Sequence, residues 1–276
     1  MLVDTGLGLP GSEERWRRIF AETGAPGRVV ITHFHPDHVG AAAIVRALSG
    51  APVHQGSLDY EHCRRAWTPE AAERSYDHLV EHGMPAGEAD TVRRHQEQLT
   101  AFVHYAPDPE PLESGTEIGG WGIVHLPGHA DGHMCLLRDG VLIAGDALLN
   151  GITPNVGLWP GSAPDPLAEY LRSLERIVEL APRLALSGHG ERILDPPARA
   201  DEISEHHGDR LGRTLDALGD EPRSGYEICR ALFPDALAPS LRRFALAETL
   251  AHVEHLVYAG RATRDAADGR TFYTAP

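Results

Sequence analysis

The sequence of 276 residues predicts a layered α/β fold, because short apolar strands and helical segments alternate from its start. Residues 2–6 read as a short strand and turn, 27–35 as a buried strand, 39–50 as a helix and 51–56 as another strand. Such β-α-β alternation is typical of layered α/β architectures.

A second group of strands is predicted in the middle of the chain, at 120–128, 134–146 and 183–190. Asp139-Gly140 predicts the turn of a hairpin within 134–146, since this dipeptide favours tight β-turns. Residues 165–180 place leucine and isoleucine at helical spacing and predict an amphipathic helix.

Three segments are expected to surround or follow this core, which we assign to residues 1–197. Residues 57–110 are polar and mostly helical in pattern, and we expect a helical lid inserted into the core. Residues 198–219 predict a linker helix. Residues 220–276 read as two helices followed by two short strands around Asp268-Gly269, which is the outline of a winged-helix-like module.

Composition excludes several classes of protein. All 25 basic residues are arginine, so a lysine nucleophile, a Schiff base and a lysine-bearing phosphate loop are excluded. The net charge of −15 argues against nucleic acid as the main partner, since nucleic-acid-binding proteins usually carry a basic surface. Three widely spaced cysteines do not form a disulfide framework. No apolar run approaches the ~20 residues of a membrane span, and no signal-peptide core precedes the fold, so we expect a cytoplasmic protein.

The stretch THFHPDHVG, residues 32–40, contains the side chains that most clearly predict chemistry. It places His33, His35, Asp37 and His38 at the end of a buried strand. Imidazole and carboxylate groups are common ligands of zinc, iron and manganese. A histidine cluster on a loop can also be merely solvated, but this density of ligands after an apolar strand favours a metal site.

Three further candidates each follow an apolar strand and lie beside glycines. They are His129 in LPGHADGH, Asp146 in LIAGD and His189 in LSGHG. Layered α/β proteins present their binding loops at strand ends, so we expect these side chains to join the first cluster.

These motifs, in this order and preceded by VDTG, resemble those of the metallo-β-lactamase superfamily over residues 1 to about 195. The resemblance implies an αββα sandwich with a site for two divalent metal ions at one edge. It implies that the ligands are His33, His35 and His129 for the first ion, Asp37, His38 and His189 for the second, and Asp146 as the bridge. Zinc is the expected metal, and iron or manganese also fits.

The resemblance also implies supporting and catalytic roles. Asp4 in VDTG would support the ligands, and His133 is interpreted as a supporting residue or a proton carrier. Asp37 and Asp146 are the predicted catalytic residues. Asp37 together with His38 and a bridging Asp146 resembles the site of hydrolases of the glyoxalase II type. No cysteine falls at a ligand position, which disfavours hydrolysis of β-lactam antibiotics.

The two ends of the chain carry further expectations. The C-terminal part resembles the winged-helix extension of the β-lactamase-like protein 2 group. The family normally has strands before VDTG, whereas this chain begins at that motif. We therefore expect the first sheet to lack its leading hairpin, either because the start is truncated or because a homo-oligomeric partner covers the exposed edge.

The predicted function is hydrolysis of a small ester, thioester or lactone by a hydroxide that bridges two metal ions. Trp67, Tyr76 and Trp159 are the candidate residues of the substrate pocket. One alternative is a metal-dependent nuclease or phosphodiesterase, which the missing basic face disfavours. Another is a winged-helix binding module with an inactive metal domain, which the complete set of predicted ligands disfavours.

Overall fold

The structure, a computed structural model, describes residues 1–276 and contains two central sheets, a third small sheet and ten helices. The strands are Leu2–Val3 (β1), Val29–Ile31 (β2), Val53–Gly56 (β3), Glu110–Leu112 (β4), Glu117–Ile118 (β5), Trp121–His125 (β6), Met134–Arg138 (β7), Val141–Gly145 (β8), Leu184–Ser187 (β9), Arg223–Ser224 (β10), Thr263–Ala267 (β11) and Arg270–Thr274 (β12). The helices are Ser12–Thr23 (α1), Pro36–Val39 (α2), Ala42–Ser49 (α3), Ser57–Ala66 (α4), Pro69–Glu81 (α5), Ala86–Thr100 (α6), Pro166–Leu180 (α7), Pro196–Leu218 (α8), Gly225–Leu232 (α9) and Pro239–Tyr258 (α10).

The two central sheets differ in strand direction. The first has the order β1-β2-β3-β4 and is parallel throughout, with β1 at one edge paired only to β2. The second has the order β5-β6-β7-β8-β9 and is antiparallel except for the parallel pair β8 and β9. Strands β7 and β8 form the hairpin predicted at Asp139-Gly140. Consequently β6, β8 and β9 run in one direction and end at the same edge of their sheet.

Alternation along β2 shows how the layers are built. Val29 and Ile31 face outward and pack with Ala42 and Val45 of α3. Val30 points to the opposite face, where it packs with residues of the second sheet such as Leu136. This period of two is the expected consequence of strand geometry. Helices α7 and α8 cover the outer face of the second sheet, so the layers are helix, sheet, sheet and helix, as predicted.

The predicted lid is the connection between the neighbouring parallel strands β3 and β4. Residues 57–110 contain helices α4, α5 and α6, as expected. The prolines of 106–113 predict only a break in the helices, yet β4 lies there and completes the first sheet. Helix α1 was also not predicted. Its small apolar face, formed by Trp16 and Phe20, packs against the core without fully buried residues.

Helices α5 and α6 share a hydrophobic core with the C-terminal part of the chain. Leu79 and Val92 from the lid helices pack in one cluster with Ile228 of α9 and Leu250 of α10. The C-terminal sheet has the order β10-β12-β11 and includes the hairpin predicted at Asp268-Gly269. The winged-helix interpretation of this part stays a prediction. None of the helices combines the length and the apolar character needed to cross a bilayer.

Candidate metal centre

All seven predicted ligands lie together at the edge where β2, β6, β8 and β9 end. Three overlapping groups, each with its potential ligand atoms within 4.8 Å of one another, are formed by His33, His35 and His129, by His33, His38 and Asp146, and by Asp37, His38 and His189. The convergence follows from topology, because strands that run in one direction bring the loops after them to a common edge.

The first group is a set of three imidazoles. The Nε2 atom of His33 lies 3.0 Å from Nδ1 of His35, and the rings of His35 and His129 meet edge to face with their centroids 4.6 Å apart. Burial lowers the pKa of all three rings, and neighbouring histidines lower those of His33 and His35 further. The rings are therefore neutral, which is the form that binds metal.

The second group combines a carboxylate with two imidazoles. Asp37 Oδ2 lies 3.1 Å from His189 Nε2 and 3.9 Å from His38 Nε2. The Asp37 and His189 side chains remain 43% and 47% exposed, whereas His38 is buried. This group is therefore the side of the centre that is open to a substrate.

Asp146 lies between the two groups. One carboxylate oxygen, Oδ2, is 3.7 Å from His129 Nε2 and 3.4 Å from His189 Nε2. The other, Oδ1, is 3.5 Å from His38 Nε2. A single carboxylate thus faces nitrogens of both groups, which is the placement that a bridging ligand requires.

The inward-facing atoms lack other partners. His38 Nε2, His129 Nε2 and Asp146 Oδ1 are buried and form no hydrogen bond. Buried polar atoms normally have a partner, so atoms that face one another without one are unusual in a native fold. Their nitrogen and oxygen chemistry suits a divalent cation such as zinc, iron or manganese, and the residues therefore fit the metal that the motifs imply.

The outward-facing nitrogens of three rings are held by hydrogen bonds. His33 Nδ1 donates to the Thr32 hydroxyl at 2.9 Å, and His129 Nδ1 donates to the carbonyl of Asn155 at 2.8 Å. His38 Nδ1 donates to Asp4 Oδ2 at 2.8 Å. With the proton held on Nδ1, each Nε2 is free to bind a metal ion, which is how such partners orient metal-ligating histidines.

Asp4 supports the centre through three contacts. Besides His38, it accepts hydrogen bonds from the Thr32 amide and the Thr32 hydroxyl, both at 2.8 Å. Burial by itself lowers the pKa of His38, but the carboxylates of Asp146 and Asp4 outweigh it and raise that pKa to about 10. The space between these carboxylates thus favours positive charge, and binding of a divalent ion would displace the proton.

His133 lies behind the ligands and does not reach the cavity. Its Nε2 accepts a hydrogen bond from the Asp146 amide at 3.1 Å, and its ring stacks on that of His33 at 4.7 Å. The other nitrogen, Nδ1, lies 3.5 Å from the thiol of Cys135. With both nitrogens engaged inside the core, His133 is placed to position Asp146 and His33. The role of a proton carrier stays a prediction.

Close packing explains one of the glycines beside the ligands. A Cβ atom on Gly188 would lie 2.2 Å from Asp146 Oδ1 and 2.7 Å from His38 Cε1. No side chain fits there without displacing both groups. Gly188 thus allows the β9 loop to deliver His189 to the centre.

A cavity of about 990 Å³ opens beside the cluster. Asp37 and Asp146 reach it from the metal centre, and Trp67 and Trp159 line it. Tyr76 does not line the cavity but packs against the core shared by α5, α6 and the C-terminal helices. The helical phase of α5 turns this side chain away from the metal centre, a feature that residue type alone does not reveal.

Three supporting residues were not identified from sequence. Thr32 directly precedes His33 in the stretch THFHPDHVG, so its position in the sequence already indicates a possible hydrogen-bond partner for that ligand. Asp59 is buried on α4 and accepts hydrogen bonds from the amides of Phe34 and Gly132, at 2.9 and 2.8 Å. It thereby connects the loop after β2, which carries His33 and His35, to the loop after β6, which carries His129. Burial raises its pKa to about 7. Asn155 contributes only its backbone carbonyl, for which the sequence carries no signal.

Comparisons with known proteins match both parts of the chain to families. The family model described as metallo-beta-lactamase superfamily matches residues 1–189, and a model described as metallo-beta-lactamase-like, C-terminal domain matches residues 211–275. A metallo-beta-lactamase family protein from Thermus thermophilus has a crystal structure that is 37% identical in sequence, with a TM-score of 0.85 over 99% of this chain and 89% of that chain.

Two curated relatives are similar at lower identity. The probable metallo-hydrolase YqjP of Bacillus subtilis is 27% identical over 99% of this chain and 88% of its own length. A protein of Passalora fulva named atrochrysone carboxyl ACP thioesterase is 23% identical over 89% of this chain, which spans only 63% of that relative. The match over residues 1–189 covers most of the chain. The chain therefore belongs to the metallo-β-lactamase superfamily, a membership that supports hydrolase activity.

Proposed function

We propose that this protein is a binuclear metal-dependent hydrolase of carboxylic esters or thioesters. The observation that carries the proposal is the pair of ligand groups that share Asp146 and present unpartnered, buried atoms to one another. His33, His35 and His129 would hold one ion, and Asp37, His38 and His189 the other. Zinc is the metal we propose, with iron and manganese as alternatives of the same ligand chemistry.

Two divalent ions in such a centre supply an activated water nucleophile at neutral pH and a Lewis acid for the substrate carbonyl. The residues of the chain provide the remaining functions. Asp146 holds the two ligand groups in register through contacts of 3.4 to 3.7 Å. Asp37 lines the cavity and remains 43% exposed, so its carboxylate is placed to accept the proton that leaves the attacking water.

The cavity supports an acyl substrate. Its volume of about 990 Å³ lies at the upper end of the ~300–1,000 Å³ that is usual for small-molecule sites. Aromatic side chains, among them Phe34, Trp67 and Trp159, line it. The thioesterase name of the Passalora fulva relative points to the same bond type. No cysteine lies among the ligands, since all three cysteines are buried elsewhere, which further disfavours a β-lactamase of the cysteine-containing type.

The test begins with the metal content of the purified protein, followed by turnover of matched ester, thioester, lactone and phosphodiester substrates. We expect two equivalents of metal and turnover of esters or thioesters that a chelator abolishes and added metal restores. Asp146→Asn should lower kcat/KM by more than about 100-fold, beyond the loss typical of a supporting residue.

Asp139→Asn is the matched control for this substitution. Asp139 lies in the β7-β8 turn with its side chain 82% exposed, so the variant should keep wild-type activity. A metal-loaded protein that cleaves none of the acyl substrates would refute the proposal. Selective cleavage of RNA would replace it with the nuclease alternative.

A further inference from the structure

Arginines from the lid line the cavity that serves the metal centre. Residues 57–110 contain five arginines, and three of them, Arg64, Arg65 and Arg74, line the cavity. Arg243 of α10 lines it as well. The protein as a whole carries a net charge of −15, so this concentration of positive charge at one opening is not a general property of its surface.

Three of these arginines have no carboxylate partner. Arg64 forms an ion pair with Glu61 at 3.1 Å, whereas Arg65, Arg74 and Arg243 have no acidic oxygen within 4.0 Å. The two remaining arginines of the lid, Arg93 and Arg94, both pair with Asp90 on α6. Free guanidinium groups beside a cavity are therefore available to a ligand.

Two of the guanidinium groups are held in place by neutral partners. Arg74 Nη2 donates to the backbone carbonyl of Arg65 at 2.5 Å. The guanidinium of Arg243 lies over the ring of Phe244, 4.3 Å from its centroid, and that ring meets Trp159 edge to face at 5.8 Å. Burial lowers the pKa of Arg243 without bringing it a counter-charge. These contacts orient the cations and leave hydrogen-bond donors free.

The acidic residues of the cavity leave this charge largely uncompensated. Asp37 and Asp146 belong to the metal centre, and Asp131 pairs with His62 at 3.1 Å and accepts the Ala163 amide at 2.9 Å. Glu70 is the remaining acid among the lining residues. Apart from the metal ligands and Asp131, three arginines without an ion-pair contact thus face one carboxylate, that of Glu70, which lies one helical turn before Arg74 on α5.

We propose that Arg65, Arg74 and Arg243 form an anion subsite and that the substrate is an ester or thioester with a carboxylate or phosphate remote from the scissile bond. Guanidinium groups match the planar oxygens of both anions and bind them by charge-assisted hydrogen bonds. The aromatic stretch of the cavity would cover the apolar part of the same substrate. This inference rests on the proposed function, because it names the substrate class of that site.

A matched set of thioesters tests the subsite. Butyryl-pantetheine is neutral, succinyl-pantetheine adds only a carboxylate at the end of the acyl chain, and butyryl-4′-phosphopantetheine adds only a phosphate on the thiol side. We expect kcat/KM to be about 10-fold or more higher for at least one anionic member, with the difference mainly in KM and shrinking as salt rises. The preferred member distinguishes a carboxylate on the acyl group from a phosphate on the leaving group.

The double variant Arg65→Gln/Arg74→Gln should remove most of this preference. Arg243→Gln, made separately because it also packs on Phe244, should reduce the same ratio. Arg94→Gln is the matched control: it lies on lid helix α6, pairs with Asp90 and does not line the cavity, so the variant should retain the full preference. Equal kcat/KM for neutral and anionic thioesters, or an unchanged ratio in the arginine variants, would overturn the subsite.

Binding of uncleavable analogues separates this inference from the proposed function. Thioethers of the same three compounds should bind the metal-loaded protein, measured by calorimetry, with the anionic members tighter by about 10-fold and the difference lost in Arg65→Gln/Arg74→Gln. If no thioester is cleaved but this binding pattern holds, the hydrolase proposal fails and the anion subsite stands. If thioesters are cleaved and the analogues bind alike, only the subsite fails.

Discussion

Replacing Thr32 by valine should weaken metal binding although Thr32 is not itself a ligand. The hydroxyl is fully buried, donates to Asp4 Oδ2 at 2.8 Å and accepts from His33 Nδ1 at 2.9 Å. Valine has nearly the same shape but leaves the His33 Nδ1 hydrogen without an acceptor. That loss removes the preference for the tautomer in which Nε2 is free to bind a metal ion.

The magnitude follows from the cost of an unsatisfied buried donor, about 1–3 kcal/mol. If this cost falls on metal binding, the metal dissociation constant rises by about 5–150-fold, which includes the 10–100-fold loss typical of supporting partners. If the cost falls on folding instead, the free energy of unfolding of the metal-free protein decreases by a similar amount. Competition with a chromophoric chelator measures the first quantity, and urea unfolding measures the second.

Two further variants make the outcome specific. Thr32→Ser keeps the hydroxyl and should restore most of the metal affinity. Thr249→Val removes another buried hydroxyl, which donates to the carbonyl of Ala245 at 2.8 Å in α10. It should cost stability without changing metal affinity. Wild-type affinity in Thr32→Val, or an equal loss in Thr249→Val, would refute the reasoning.

Two other predictions concern glycine geometry and pH. Gly128→Ala should lower the free energy of unfolding by about 2 kcal/mol or more and should also reduce the metal content. Gly128 directly precedes His129 and has a φ of 122°, and an added Cβ would lie 2.5 Å from the Cα atom of Tyr170. Gly208→Ala, in the exposed face of α8 with open space around it, should instead stabilise the protein by about 0.5–1 kcal/mol, and equal effects of the two in thermal unfolding would contradict the packing argument. The buried pair His207 and His252, whose Nδ1 and Nε2 atoms lie 3.1 Å apart, should make unfolding easier in acid. Burial and the neighbouring histidines lower the pKa of His207 to about 3, and burial lowers that of His252 to about 4. As pH falls, the unfolded chain therefore takes up protons on these histidines before the folded protein does. The free energy of unfolding is at its full value above the unfolded pKa of about 6.5 and decreases as pH falls towards 4. The loss at pH 5 is roughly 2 kcal/mol per histidine. The groups that face the pair include Arg210 and His206 on α8 and Tyr170 on α7. His207→Gln should flatten the slope of unfolding free energy against pH in this window, whereas parallel slopes for the two proteins would show that the pair does not titrate on unfolding.

Local pattern was sufficient to place the candidate ligands at strand ends and to predict most of the framework. Short apolar runs indicated β2, β7 and β8, and the helical spacing of 165–180 indicated α7. The Asp165 side chain caps α7 by accepting the Ala168 amide at 2.9 Å. Segments with little buried apolar surface were not predicted. Helix α1 has no fully buried residue, and β4 is three residues long with Pro111 at its centre. Short or weakly amphipathic elements carry too few residues for their periodicity to stand out.

The pocket residues show the limit of residue type as a guide. Trp67 and Tyr76 are both aromatic and both belong to the lid, yet one lines the cavity and the other packs against the C-terminal core. Because the lid is acidic overall, its composition likewise did not indicate that the unpaired Arg65 and Arg74 line the cavity. Which side of a helix meets a cavity depends on neighbours that are distant in sequence.

The sequence by itself determined which side chains are able to bind metal and that each follows a strand. Those properties are local, because they depend on residue type and on the short-range periodicity of the segment before it. The tertiary structure alone decided how the other six candidate ligands gather around Asp146, how Asp4 reaches His38 across 34 positions, and which arginines open onto the cavity. These contacts depend on the packing of two sheets and a helical connection, and such long-range packing has no signature in any single stretch of the chain.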